Sequence, residues 1–246
     1  MADLDYISSI RDNASALADA AESAGCDANV PSCPEWTVAD LLEHMGTVHR
    51  WAAANCSRAP SDQFMRSSES GITAPADRSA RPVWVREGAA LLTDTLAEHS
   101  PDDPCWTFAP PATVSFWSRR QAHETAMHRV DAQLAAGRAE PIDAALAADG
   151  IDEWMFLVSN RPWAREKIVG TGETIHLHST DVDGEWLLRL APSGLEVERV
   201  HAKGDVAARG TASDLLCWLM GRGPLEQLEV FGDEALLAHW REIATF

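Results

Sequence analysis

The densest run of reactive side chains in this chain is Gln121-Ala122-His123-Glu124-Thr125-Ala126-Met127-His128-Arg129-Val130-Asp131. It contains a His-Glu step but not a zincin motif. That motif needs a second histidine four residues after the first, and position 127 is Met. The spacing that does fit a metal is Glu124 with His128. Residues four apart share one helical face, so a carboxylate and an imidazole can reach the same ion. Asp131 lies on the same side, three residues further on, where it can orient His128 or a nearby arginine. Taken alone, such a pair reads as a solvated or salt-bridging Glu–His couple. A metal site needs a third ligand, and it must come from another helix.

The second helical segment of the chain offers His44 and His49. At about 100° per residue, His44 lies about 95° from the centre of that segment's apolar stripe and His49 about 45° from it. The wheel therefore favours His49, or makes both of them surface and core-edge histidines. His99 reads as a cation near a helix C-terminus. His176, His178 and His201 read as a solvated sheet face, and His239 as helix surface. None of these has a convincing ligand spacing.

Elements that must position these groups follow from periodicity. Leu4, Ile7, Ile10, Ala14, Leu17 and Ala21 recur at helical spacing and predict a helix over 4–24, with Gly25 as its stop. A loop over 30–36 leads to a helix over 38–55, with Thr37 as N-cap and Asp40 in the first turn. Its apolar stripe is Val38, Leu41, Met45, Val48 and Ala52. Residues 57–80 are rich in Ser, Arg, Asp, Gly and Pro and read as loop. Helices follow over 82–98, 113–136 and 141–159; the second stops at Gly137 and the third begins at Pro141. After residue 170 the period shifts to two. Runs over 174–179, 186–190, 195–200 and 205–208 read as strands, with Asp183-Gly184 and Ser193-Gly194 as hairpin signals. Helices over 213–220 and 233–244 complete the chain. The fold class is α+β: an all-helical N-terminal domain over 1–165 and a small α+β domain over 166–246.

Composition narrows the function classes. The 246 residues carry 38 Asp+Glu against 20 Lys+Arg, a formal net charge of −18. Such a chain repels phosphate backbones and anionic bilayers, so neither nucleic acid nor membrane is an expected partner. Cys26, Cys33, Cys56, Cys105 and Cys217 form no C-x-x-C pair and no disulfide framework. Met1–Asp5 lacks basic or apolar leader character, and no apolar run reaches about 18 residues, so the expected location is the cytoplasm. Ten Trp against one Tyr suggests a packed aromatic core or a lined cleft. Trp36, Trp106 and Trp117 are possible pocket walls, with core packing the favoured reading for each.

Three blocks carry a family resemblance. Pro34-Glu35-Trp36-Thr37 followed by Leu41-Leu42-Glu43-His44 resembles the "PGWT…L-x-x-H" signature of the mycothiol-dependent maleylpyruvate isomerase family. Arg120-Gln121-Ala122-His123-Glu124 through His128-Arg129-Val130-Asp131 resembles that family's "E-x-x-x-H-x-x-D" helix. Gly210–Leu216, Trp218–Arg222 and Leu228–Asp233 resemble its C-terminal domain. The resemblance spans nearly the whole chain, in order. It implies a DinB-like four-helix bundle followed by a sterol-carrier-like α+β domain. It implies His44, Glu124 and His128 as metal ligands, overriding the wheel's preference for His49. Zinc is the first choice for such an N,N,O set, which leaves a coordination position open. It implies Arg222 as a catalytic and cofactor-binding residue, a bidentate donor for a carboxylate on substrate or thiol; the alternative is an interdomain or surface arginine. Glu35 departs from the signature glycine. The segments 57–80 and 106–116 match nothing in the family and are expected to line the substrate pocket.

The implied activity is a metal-dependent enzyme that uses mycothiol, a low-molecular-weight thiol, against an electrophilic small molecule such as a maleylpyruvate-like acid. The outcome is isomerisation if the adduct is expelled and S-transfer if it is kept. The rival reading is a non-catalytic metal- or small-ligand-binding module, regulatory or carrier in role; a third is a bundle that has lost its metal. Oligomeric state is left open.

Overall fold

The computed structural model describes residues 4–244. Met1–Asp3, the start of the segment without leader character, lie outside them. The chain divides into two compact units that meet at Glu140/Pro141.

The first unit is a four-helix bundle of α1 (Tyr6–Ala24), α2 (Val38–Cys56), α3 (Arg81–Glu98) and α4 (Val114–Ala135). Helix α1 packs on α3 and α4, and α2 packs on the same two. Asp5 caps α1 by accepting from the Ser8 amide, and Gly25 ends it at φ +87°, a backbone conformation open to glycine. Leu17, Leu41, Leu42, Met45 and Val85 fill the interior with essentially no exposure. A short antiparallel ribbon, β1 (Asn29–Val30) with β2 (Cys33–Thr37), stands where the sequence suggested a plain loop. It delivers Thr37 to the start of α2. There the Thr37 side chain accepts from the Asp40 amide while the Asp40 carboxylate accepts from the Thr37 amide, a reciprocal capping box.

An aromatic cluster consolidates one part of the bundle. Trp51, Trp106 and Trp117 lie with ring centroids 5.1–6.2 Å apart, and Phe108 and Phe116 pack edge-on against Trp117. The 57–80 segment joins it through Phe64, whose ring sits 5.7 Å from Trp106. Trp106, Phe116 and Trp117 are buried. These rings therefore serve as core, as the favoured reading of the tryptophans had it.

The second unit contains α5 (Ala144–Ser159), α6 (Pro162–Lys167), a five-stranded sheet and two further helices, α7 (Ala212–Leu219) and α8 (Glu234–Ile243). Its strands are β3 (Glu173–Ser179), β4 (Glu185–Ala191), β5 (Gly194–Glu198), β6 (Val206–Gly210) and β7 (Glu229–Gly232), in spatial order β5-β4-β3-β6-β7. Only β3 and β6 run parallel. The two dipeptide signals fall at the β3–β4 and β4–β5 turns. Helix α5 packs on α7 and β5. The fifth helix thus belongs to the α+β unit and not to the bundle, and the division precedes the expected boundary at 165. Trp186, Trp218 and Trp240 are fully buried here. No helix among the described residues is long and apolar enough to cross a membrane.

Candidate metal centre

Helix α2 supplies His44, and α4 supplies Glu124 and His128 one turn apart. The two helices are locked together beside them by His49, whose Nε2 lies 2.9 Å from the Thr125 hydroxyl. This histidine is fully buried, and burial pushes its pKa down to about 3, so it is a neutral core group. The wheel's favourite is therefore a helix-packing residue, while His44 lies at the stripe's edge.

His44 Nε2 is 3.3 Å from Glu124 Oε1, and His128 Nε2 is 3.4 Å from the same oxygen. All three donor atoms lie within 4.8 Å of one another. The spacing can be compared with what a metal demands. Bonds of about 2.0–2.1 Å in a tetrahedron set donors about 3.3–3.4 Å apart. Both N···O separations match that edge, so the residues present fit a divalent ion. Side-chain exposures of 30% for His44 and 10% for His128 leave one side of the cluster open.

The supporting groups are equally specific. His128 Nδ1 lies 2.8 Å from Asp131 Oδ2, and Ser32 Oγ donates to Asp131 Oδ1 at 2.5 Å. Asp131 is fully buried. With one proton held on Nδ1 by this carboxylate, loss of the other bares the Nε2 lone pair on the Glu124 side, the tautomer a metal ligand needs. Asp131 thus orients His128, one of the two roles its spacing suggested. Arg120 pairs with the second oxygen of Glu124. Burial works to raise the Glu124 carboxyl, but Arg120, His128 and His44 outweigh it and hold it well below the usual carboxylate range. Burial likewise opposes protonation of His128, yet the Asp131 and Glu124 carboxylates raise it to about 9. A cation entering here meets a fixed negative charge and displaces a proton. Trp36 completes the setting, with its ring 5.1 Å from His44 and nearly parallel to His128 at 6.3 Å. Of the three suggested wall tryptophans, it alone stands at this cluster.

Two contributors carried no role in the sequence reading. Arg120 had a legible signal, since Arg and Glu four apart pair on a helix. Ser32 had none, because only the β1–β2 turn brings it to Asp131. Arg222 belongs to the other unit; it follows α7 and donates to the Met220 carbonyl at 2.6 Å. The remaining histidines divide. His99 turns to Asp103 at 3.3 Å, and His123 packs edge-on against Tyr6. His176, His178 and His201, expected as a solvated sheet face, converge on Glu185; His178 and His201 are solvent-accessible there and His176 is buried.

A helical bundle with an inward-facing His–Glu–His cluster, followed by an α+β unit, defines the class of two-unit chain to which this protein corresponds. Residues 7–133 match the model of the mycothiol maleylpyruvate isomerase N-terminal domain, and residues 145–239 match that of the corresponding C-terminal domain. The chain belongs to the mycothiol-dependent maleylpyruvate isomerase family. Its fold resembles the crystal structure of a mutant of the mycothiol-dependent maleylpyruvate isomerase. The TM-score is 0.59 at 12% identity, over 92% of this chain and 91% of that one. A ubiquinone synthesis protein described as UbiJ-SCP2 gives a partial likeness, at TM-score 0.31 and 20% identity over 41% of this chain and 94% of that one. No curated protein matches the chain.

Proposed function

We propose that this chain is a mycothiol-dependent enzyme that holds a divalent metal, zinc in the first place, through His44, Glu124 and His128. Its substrate is an electrophilic cis-enoic acid of the maleylpyruvate type. The observation that carries the reading is the convergence of two imidazole Nε2 atoms on one carboxylate oxygen at metal-donor spacing, inside a chain of this family. When bound, a divalent ion supplies the charge that keeps a thiol deprotonated at neutral pH.

The chain's own residues then have separable tasks. Asp131 and Ser32 hold His128 in one tautomer. Arg120 occupies Glu124 Oε2, so Glu124 serves as a ligand and not as a general base. Trp36 stands against both imidazoles and gives the open side an apolar wall. Arg222 is the group assigned to a carboxylate, on substrate or thiol. The thiolate is the nucleophile. It adds to one carbon of the conjugated double bond, and the electron pair moves onto the carbonyl oxygen. The former double bond rotates as a single bond. The pair then returns, the C–S bond breaks, and the trans acid and thiolate leave. If a proton captures the adduct first, the product is the S-conjugate.

The test begins with metal analysis of the purified chain. About one equivalent bound at this cluster is expected, lost in both His44→Ala and His128→Ala. Chelation is expected to lower the melting temperature, because the ion binds the folded state better than the unfolded one. The loaded protein should convert a cis-enoic keto acid to its trans isomer, or conjugate it, only with mycothiol present. Metal loading without any thiol-dependent turnover would instead favour a binding module. No metal, with variants as stable as wild type, would remove both readings.

A further inference from the structure

We infer that the α+β unit carries a second metal site, for a first-row divalent transition ion, formed by His176, His178, Glu185 and His201. The four side chains offer ligand atoms that all lie within 4.8 Å of one another. They come from three places in the chain. His176 and His178 sit two apart on β3, so strand alternation puts both on one face while Ile175 and Leu177 enter the core. Glu185 opens β4, directly across from His178 in the antiparallel register. His201 arrives from the segment after β5.

Three imidazoles therefore surround one carboxylate. His176 Nε2 lies 2.9 Å from Glu185 Oε2, His178 Nδ1 lies 3.3 Å from Oε1, and His201 Nδ1 lies 2.5 Å from Oε2. The rings are evenly disposed, with centroids 6.1, 5.6 and 6.3 Å apart. Imidazoles bound to one tetrahedral ion at about 2.0–2.1 Å place their centroids about 5 Å apart. Each pair thus needs to close by only about 1 Å, within reach of side-chain rotation. Hydrogen bonds alone leave the second nitrogen-bearing edges of these rings unconverged, since each ring meets the carboxylate through a single atom. A cation satisfies all four groups through lone pairs.

The donor set chooses the ion. Three imidazoles and a carboxylate suit zinc, nickel, copper or cobalt, and are poor ligands for magnesium or calcium. The net charge of −18 raises the local concentration of any cation. His176 is buried and strand-held, whereas His201 is 79% exposed at its side chain. The buried end supplies a preformed half-site, and the exposed end closes on the ion. Binding would tie the segment after β5 to the sheet, beside a cavity of about 360 Å³ lined in part by His176 and His201.

The experiment uses the full chain with His44→Ala and His128→Ala together as background, so that the bundle cluster is silent. Equilibrium dialysis with zinc, and titration with cobalt followed by its visible absorption, count the remaining sites. About one equivalent is expected in this background, falling to none on adding His178→Ala and His201→Ala. Both of these side chains are solvent-accessible, and circular dichroism checks that the fold persists. Glu185→Gln, which keeps shape and removes charge, is expected to weaken binding at least tenfold. A folded background protein that binds no zinc or cobalt would overturn the inference. So would a cobalt spectrum and stoichiometry unchanged by the His178 and His201 substitutions. Failure of the bundle centre would appear as equal stoichiometry in the wild-type chain and this background, so the two readings fail separately.

Discussion

The sharpest test of the bundle centre is Asp131→Asn. Asp131 is fully buried, accepts from Ser32 at 2.5 Å and faces His128 Nδ1 at 2.8 Å. The substitution keeps volume and removes the charge that fixes the histidine tautomer. An asparagine can turn its NH₂ towards Nδ1, which moves the ring proton to Nε2, the atom facing Glu124. Alternatively it keeps its oxygen there and loses the charge that makes the imidazole a strong donor. Either arrangement weakens the ligand. Loss of such an outer partner typically costs 10–100-fold in metal affinity, or about 1.4–2.8 kcal/mol at 1.4 kcal/mol per factor of ten. The assay is zinc competition against a chromophoric chelator, which reads affinity without turnover. Ser32→Ala, which leaves the carboxylate in place, should weaken zinc binding less than Asp131→Asn does. Equal zinc affinity in wild type and Asp131→Asn would refute the orientation argument. A Ser32→Ala loss as large as that of Asp131→Asn would do the same, since it would trace the effect to general packing.

Other perturbations test the scaffold. His49, with its folded pKa near 3 against 6.5 unfolded, stays neutral while the unfolded chain takes up a proton. Stability is therefore full above pH 6.5 and is lost as pH falls towards 3. Chelated wild type should lose about 2 kcal/mol more than His49→Asn between pH 7 and 5 in urea melts, and parallel pH profiles would contradict this. Gly46→Ala would place a Cβ 2.3 Å from the Trp84 ring. It should cost about 1–3 kcal/mol by overpacking α2 against α3, read by denaturant midpoint. Thr37→Ala removes the cap of the His44 helix and should cost about 1 kcal/mol. A neutral result in the same melts would show that the capping box contributes nothing.

Long amphipathic segments were legible almost to the residue. Helix α2 was expected over 38–55 and spans Val38–Cys56, because its stripe and cap are both local signals. Two features were not local. The β1–β2 ribbon pairs so few residues that no alternation can develop. Helix α5 has the same apolar period whether it joins a bundle or covers a sheet, so its unit depends on its contacts with α7 and β5. The wheel shows a subtler limit. It ranked His49 above His44 and correctly located the deeper residue. Depth, however, identifies packing, whereas a ligand with an accessible coordination position belongs at the edge of the stripe. The β3 histidines show the same gap. Alternation put His176 and His178 on one face, but only the strand register and the chain after β5 bring Glu185 and His201 to them.

The helices that supply the bundle cluster have a consequence for chain entropy. His44 and Glu124 are 80 residues apart, and among the described residues no disulfide joins any of the five cysteines. An ion shared by α2 and α4 would act as a reversible cross-link across that interval. By the loop-entropy relation used for disulfides, closing 80 residues removes unfolded-state freedom worth about 4.5 kcal/mol. A reagent that strips the ion would then act on this protein much as a reductant acts on a secreted one.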